Sequence, residues 1–226
     1  MSRSKAAIVA TVAALSGLAA AGGLAGPAQA SAATAAAPAC RAWTGHHPTY
    51  AVRLSSVDVL SPCDVWATGV PGANTRSVTV TDLLHWNGAT WTLRTARKLP
   101  TAAVPPPSVA AVSAGSVWVA GSDPNDGAGF AQTLIAHWNG IALTRVGSRN
   151  PGEPMGGDEL AGISAAGADD VWAVGAYTLF DTNFGVTASL PLAQRWNGHA
   201  WVLVSAQVTP TTTDYPTPFG AFSAVT

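Results

Sequence analysis

Asp64-Val65-Trp66-Ala67-Thr68-Gly69, followed by His85-Trp86-Asn87-Gly88, decides how this chain is read. The first piece is a β-branched and aromatic run closed by glycine, the composition of a strand that ends at a turn. The second carries Asn-Gly after an aromatic strand, the strongest short-range hairpin signal. Both central residues of a type I′ turn need φ > 0, which Asn and Gly tolerate best. Both pieces return. Ser116-Val117-Trp118-Val119-Ala120-Gly121 precedes His137-Trp138-Asn139-Gly140, and Asp170-Val171-Trp172-Ala173-Val174-Gly175 precedes Arg195-Trp196-Asn197-Gly198. Three residues beyond each of these hairpin glycines stands Trp91, Leu143 or Trp201.

Upstream, Leu54-Ser55-Ser56-Val57, Val109-Ala110-Ala111-Val112 and Leu160-Ala161-Gly162-Ile163 align as the openings of three copies, 54–108, 109–159 and 160–218. A fourth opening, Phe219-Gly220-Ala221-Phe222-Ser223-Ala224, begins a partial copy at 219–226. Each copy reads as four short strands, and four strands in about 50 residues is the size of a β-propeller blade. The expected fold is therefore all-β: an incomplete propeller of three four-stranded blades plus the first strand of a fourth. Trp66, Trp86, Trp91, Trp118, Trp138, Trp172, Trp196 and Trp201 then have a structural task. A Trp buries about 150–250 Å² and suits the flat contact between neighbouring blades.

The copies resemble the kelch-like, galactose-oxidase-type repeats of exported bacterial β-propellers, in which a Val-Trp-Ala-Val-Gly strand precedes a His-Trp-Asn-Gly hairpin. The likeness spans residues 54–226. It implies an architecture rather than an activity, since such propellers serve both as binding modules and as enzyme scaffolds. The Asn-Gly-x-x-Trp piece is also similar to the Asp-box of sialidase propellers; the box lacks its Asp here, and no role is carried over from it.

Residues 1–30 read as a secretory signal peptide. Arg3 and Lys5 start it, an uncharged run from Ala6 to Ala30 holds its apolar middle, and Ala28-Gln29-Ala30 is the small-residue exit. No later segment is long and apolar enough to span a bilayer. Residues 31–53 read as a flexible leader, whose first part, 31–39, holds only Ala, Ser, Thr and Pro and can bury little. In an exported chain the two cysteines, Cys40 and Cys63, read as a disulfide.

Charged residues make up 10% of the chain, with Lys+Arg 11 against Asp+Glu 12. That balance supplies no basic field to offset phosphate charge, so nucleic acid is excluded as a partner. Propellers hold about 4–8 blades. Three blades and one strand would leave strand edges and an inter-blade face open. The expectation is that the ring is completed by sequence beyond Thr226, or else by self-association through the open edges. Cys40-Arg41-Ala42-Trp43-Thr44 is similar to the fourth-strand piece His199-Ala200-Trp201-Val202 and is read as the last strand of a ring-closing blade.

Function is expected on the long loops Pro71–Val78, Ser122–Gln132 and Ala176–Ser189 and on the connections between copies, opposite the tight Asn-Gly turns. The ligand-binding residues read there are Arg76, Asp123, Asn125, Asp126, Arg149, Glu153, Tyr177, Asp181, Asn183 and Tyr215. Polar groups mixed with rings suit a glycan. Asp123-Pro124-Asn125-Asp126-Gly127 offers the oxygens that calcium takes, but lacks EF-hand spacing and the distal Glu. An Asx-rich turn accounts for it equally well; no cofactor or metal is assigned. No nucleophile elbow, His-Glu-x-x-His or phosphate loop is present. The adjacent carboxylates Asp158-Glu159 and Asp169-Asp170 are weak signs of acid–base chemistry. The reading is a secreted binding module for a glycan or a protein. The alternatives are a carbohydrate-active lyase or glycoside hydrolase with part of its site elsewhere, and a structural adhesion domain.

Overall fold

The computed structural model describes residue 40 and residues 52–71, 79–94, 99–101, 106–124, 130–152, 155–181, 185–205 and 225. The chain divides into the units Met1–Pro38 and Ala39–Thr226, and every described residue lies in the second. The signal peptide, most of the leader, the Arg41–Thr44 piece and the fourth opening (Val225 apart) lie outside the described residues.

Among the described residues the fold is all-β, with three antiparallel sheets built from consecutive strands. The first runs Val52–Ser61 (β1), Asp64–Pro71 (β2), Thr79–Trp86 (β3) and Trp91–Leu93 (β4), with Leu99–Thr101 (β5) pairing back onto β3. The second holds Ser108–Ser113 (β6), Ser116–Asp123 (β7), Gln132–Trp138 (β8) and Leu143–Val146 (β9). The third holds Asp158–Gly167 (β10), Asp170–Asp181 (β11), Gly185–Trp196 (β12) and Trp201–Leu203 (β13). In each sheet the four main strands pair in chain order.

The sheets pack face on face through two apolar clusters. Trp66 and Leu83 of the first sheet join Val109, Ala111, Val117, Val119, Ala136, Trp138 and Leu143 of the second. Ala110, Trp118, Ala120 and Ile135, on the other face of the second sheet, join Leu160, Ile163, Val171, Ala173, Leu192 and Trp201 of the third. Period-2 alternation produces this division: Val117 and Val119 look back to the first sheet, while Trp118 and Ala120 look forward to the third. Hydrogen bonds reinforce the first seam. Ser55 Oγ and Thr68 Oγ1 donate to the Pro107 carbonyl at 2.8 and 2.9 Å. Ser56 Oγ and Asp58 Oδ2 accept from the Val109 and Ala111 amides at 3.2 and 2.7 Å. Thus β1 supplies partners for amides on the free edge of β6.

Five expectations change. The phase of the second copy shifts by three residues: Val57, Val109 and Ile163 sit opposite Ala67, Val119 and Ala173, so Val109, not Val112, is the counterpart of Val57. The segment Ala176–Ser189 is not a loop along most of its length. β11 and β12 stay paired out to Asp181↔Gly185, forming a long hairpin. The connection after β4 contains a strand, β5, and β1 begins at Val52, inside the expected leader. The Asn-Gly turns also close differently. Asn87 Oδ1 accepts from the Ala89 and Thr90 amides at 3.0 and 2.9 Å, and the Asn87 amide donates to the Thr90 carbonyl. Asn139 and Asn197 repeat this arrangement. Asn is therefore the first residue of the turn and its side chain ties it, while Gly88, Gly140 and Gly198 take the following position at φ near +90°.

Beside each turn a side chain lies over the Trp of the preceding strand. His85 stacks on Trp66 and His137 lies tilted over Trp118, each at 4.2 Å between centroids. His85 Nε2 is 2.9 Å from Asp64 Oδ1, and its Nδ1 accepts from Arg94 Nη2 at 3.1 Å. His137 Nε2 is 2.9 Å from Ser116 Oγ. In the third sheet Arg195 takes the place, 5.8 Å from the Trp172 ring centroid, with Asp170 Oδ1 accepting from both Arg195 Nε and Trp172 Nε1. These residues hold their own sheets together, as a strand residue beside a hairpin is expected to do.

A Cβ at Gly140 would meet nothing closer than 3.6 Å, so Gly140→Ala tests the backbone conformation alone. It is expected to cost about 1–2 kcal/mol in urea denaturation. Gly198→Ala should cost more, since its Cβ would also meet Asp169 at 2.8 Å. Burial lowers the His137 pKa from its ordinary value. The unfolded chain therefore binds this proton more readily than the fold does. The contribution is complete above the unfolded-state pKa of about 6.5 and is lost as pH falls toward the folded one. His137→Gln is expected to flatten that acid limb in a series of denaturation curves taken at falling pH.

Candidate functional site

At the end of the sheets opposite the Asn-Gly turns, a cavity of about 150 Å³ lies where the second and third sheets meet. It is lined by Ala131 just before β8, by Gly157, Asp158 and Glu159 at the start of β10, by Ala176 and Thr178 on β11, and by Ser189 on β12. Strand register brings these together: Glu159 pairs with Ala176, and Thr178 with Ser189. The long β11–β12 hairpin supplies one wall, because an ordinary loop at Ala176 would have left Thr178 and Ser189 unpaired.

The floor is rigid. The Asp158 amide donates to the Ala131 carbonyl at 2.8 Å, which ties the third sheet to the second. The Thr178 amide donates to the Gly157 carbonyl at 2.8 Å, and the Gly157 amide returns a bond to Thr178 Oγ1 at 2.6 Å. Asp158 is 1% exposed, and its Oδ1 accepts from the Gly152 amide at 3.0 Å. The approach of this segment to β11 is so close that a Cβ on Gly156 would overlap the Thr178 carbonyl, so glycine is required there. At the rim stand the exposed Glu159 and the half-buried Ser189. Partial desolvation by the cavity wall raises the Glu159 pKa from its ordinary value, although much of the side chain reaches solvent.

The residues expected to bind ligand are not gathered here. Asp123 is the last residue of β7, is 4% exposed and forms an ion pair with Arg145 Nη1. Its burial reflects that partner, since an isolated buried carboxylate is costly. Arg149 directs Nε to the Trp201 carbonyl at 3.3 Å, and its own amide and carbonyl are clamped by Gln194 Oε1 and Nε2 at 2.8 Å each. Tyr177 packs against the cluster between the second and third sheets and is not a free stacking platform. Asp181 is the final residue of β11. Arg76, Asn125, Asp126, Glu153, Asn183 and Tyr215 lie outside the described residues. Among the described residues no group of three or more His, Cys, Asp or Glu side chains is placed to hold a metal.

The sequence signal for the cavity was the pair Asp158-Glu159 behind Gly156-Gly157. Its meaning depends on β11 and β12, which lie far along the chain. Cys40 and Cys63 form the expected disulfide, with Cα atoms 5.3 Å apart. No helix among the described residues is long and apolar enough to cross a membrane.

No protein family matches this chain, and none of the curated proteins is significantly similar to it.

Because its folded-state pKa is raised, Glu159 favours the fold at low pH and withdraws that contribution as pH rises through the raised value. Glu159→Gln is expected to be more stable than the parent at neutral pH. The difference should close as the pH is lowered through the carboxylate range, followed by chemical denaturation at each pH.

Proposed function

We propose that this chain is a secreted binding module whose three sheets are successive blades of a β-propeller, and that a hydroxyl-rich ligand of the glycan class docks at the cavity rim. Three features support the blade reading: meander sheets stacked face on face in chain order, β1 beside β6 and β6 beside β10, and tight turns at one end with longer connections at the other. Export is supported by the signal-like residues 1–30 and by the Cys40–Cys63 disulfide, which persists in oxidising compartments.

The observation that carries the ligand class is the rim itself. Glu159 presents carboxylate oxygens that accept hydrogen bonds from hydroxyls, and Ser189 adds a second hydroxyl-compatible group across a fixed floor. Binding is favoured over hydrolysis or elimination. The neighbouring carboxylate, Asp158, is buried and accepts from the Gly152 amide, so it is poorly placed to work with Glu159 as an acid–base pair.

A glycan array probed with the full secreted chain should return a defined set of oligosaccharides. Glu159→Gln and Ser189→Ala should each weaken the best of them by about tenfold in calorimetry, as loss of one hydrogen bond does. Absence of glycan binding, or binding indifferent to both substitutions, would sink the proposal.

A further inference from the structure

The cavity between the second and third sheets is one-sided in its charge chemistry. Among the described residues that line it, the titratable side chains are Asp158 and Glu159, both acids, and Thr178 and Ser189 add hydroxyls. No arginine, lysine or histidine stands among them. Arg145 on β9 and Arg149 just after it, the described arginines of the second sheet, are engaged elsewhere. Arg145 Nη1 pairs with Asp123, and its Nη2 donates to the Thr133 carbonyl at 3.4 Å. Arg149 Nε donates to the Trp201 carbonyl at 3.3 Å.

The two acids differ in reach. Asp158 is buried and accepts from the Gly152 amide, so a ligand at the rim does not touch it. Glu159 is exposed and stands opposite Ala176 in the strand register. The cavity wall takes water from its carboxyl group, and burial is the cause of its raised pKa. A cation arriving within about 4–6 Å reverses that loss and favours the ionised form, whereas a second anion adds repulsion. A neutral hydroxyl supplies a hydrogen bond but no charge. The cavity is also small. Its volume of about 150 Å³ is half the lower bound of about 300 Å³ for pockets that enclose a drug-sized molecule. It admits one sugar ring, so the selecting charge has to sit on that ring.

Resting on the glycan reading above, we infer that this rim selects by charge: it takes a sugar ring bearing a free, protonated amine against Glu159, prefers it to the neutral ring, and turns away uronic acids. The ammonium donates to the Glu159 carboxylate, a charge-assisted bond about twice as strong as a neutral one. Ser189 holds a ring hydroxyl and carries no charge preference of its own. Binding is then coupled to a proton. The amine lowers the Glu159 pKa that burial has raised, so the complex holds this proton less tightly than the free protein does. Affinity for the amino sugar therefore rises with pH through the Glu159 range and falls again where the amine itself loses its proton.

Calorimetry of the full secreted chain with short oligomers of glucosamine, glucose and glucuronic acid, all of the same linkage, tests this. The pH is set above the ordinary carboxylate range and below the pKa of the amine. Glucosamine should bind about tenfold more tightly than glucose, the worth of one hydrogen bond to a charged group, and glucuronic acid should give no heat. Glu159→Gln should bring glucosamine down to glucose and flatten its dependence on pH. Ser189→Ala should weaken both and leave their ratio unchanged. The selectivity is measured on the parent, so the result does not depend on how well either variant folds. Glucosamine bound no better than glucose, glucuronic acid bound equally well, or a preference for the amine that survives Glu159→Gln would each overturn the inference. Those outcomes leave the glycan reading standing, whereas a chain that binds no glycan at all removes both.

Discussion

The structure depends on one contact made twice: an indole from one sheet laid against a shallow β-branched and alanine surface on the next. Trp66 sits with Val109, Ala111, Val117 and Val119, and Trp118 with Ile163, Val171 and Ala173. A flat ring on a pleated surface of small side chains leaves little void, and close packing is worth more to a thin sheet than to a thick core. Each sheet is marginal alone, because a four-stranded meander buries neither of its faces unaided. The histidine or arginine laid over each Trp holds the indole from within its own sheet. The sequence change from His to Arg in the third sheet coincides with the one Trp of the three that is not fully covered.

The same seams position the cavity. The second and third sheets are joined by Gln194 of β12, whose side-chain amide pairs with both backbone groups of Arg149, and by the Asp158 amide bonded to the Ala131 carbonyl. Gln194 is fully buried, yet it sits without penalty because donor and acceptor are both used. Between these two fixed points the rim residues have little freedom to shift. A pocket so held loses little entropy on binding, which favours recognition of a small polar ligand.

What the sequence disclosed and what it withheld divide along the range of the forces. Strand order within each copy, the buried Trp66, Trp118 and Trp201 and the three turn positions follow from alternation and turn chemistry within a few residues. The phase of the second copy did not, because Val109-Ala110-Ala111-Val112 is apolar on both parities and fits either register. β5 was hidden by Pro100, a residue that argues against a strand, although at a sheet margin it is tolerated. The β11–β12 extension was hidden by length alone: the third copy is longest between its Trp strand and its Asn-Gly turn, and length there looks like a loop. For Asp123 and Arg149 the sequence withheld the surroundings. Their partners, Arg145 and Trp201, reach them through tertiary packing, which makes a charged residue near a loop indistinguishable in sequence from one that awaits a ligand.

Among the described residues each sheet is assembled from strands adjacent in the chain and packs chiefly against the sheets before and after it in sequence. Such an arrangement transmits little across the molecule. Cooperativity is nearest-neighbour, closer to a row of coupled spins than to a single folding unit, and damage in one sheet stays near its own seams. The middle sheet, clasped on both faces, is then the natural nucleus and the last part to exchange its amide hydrogens, while the strand at the start of the first sheet opens earliest. For evolution this means that copies can be duplicated, lost or replaced one at a time, with the rim of each boundary free to acquire its own chemistry.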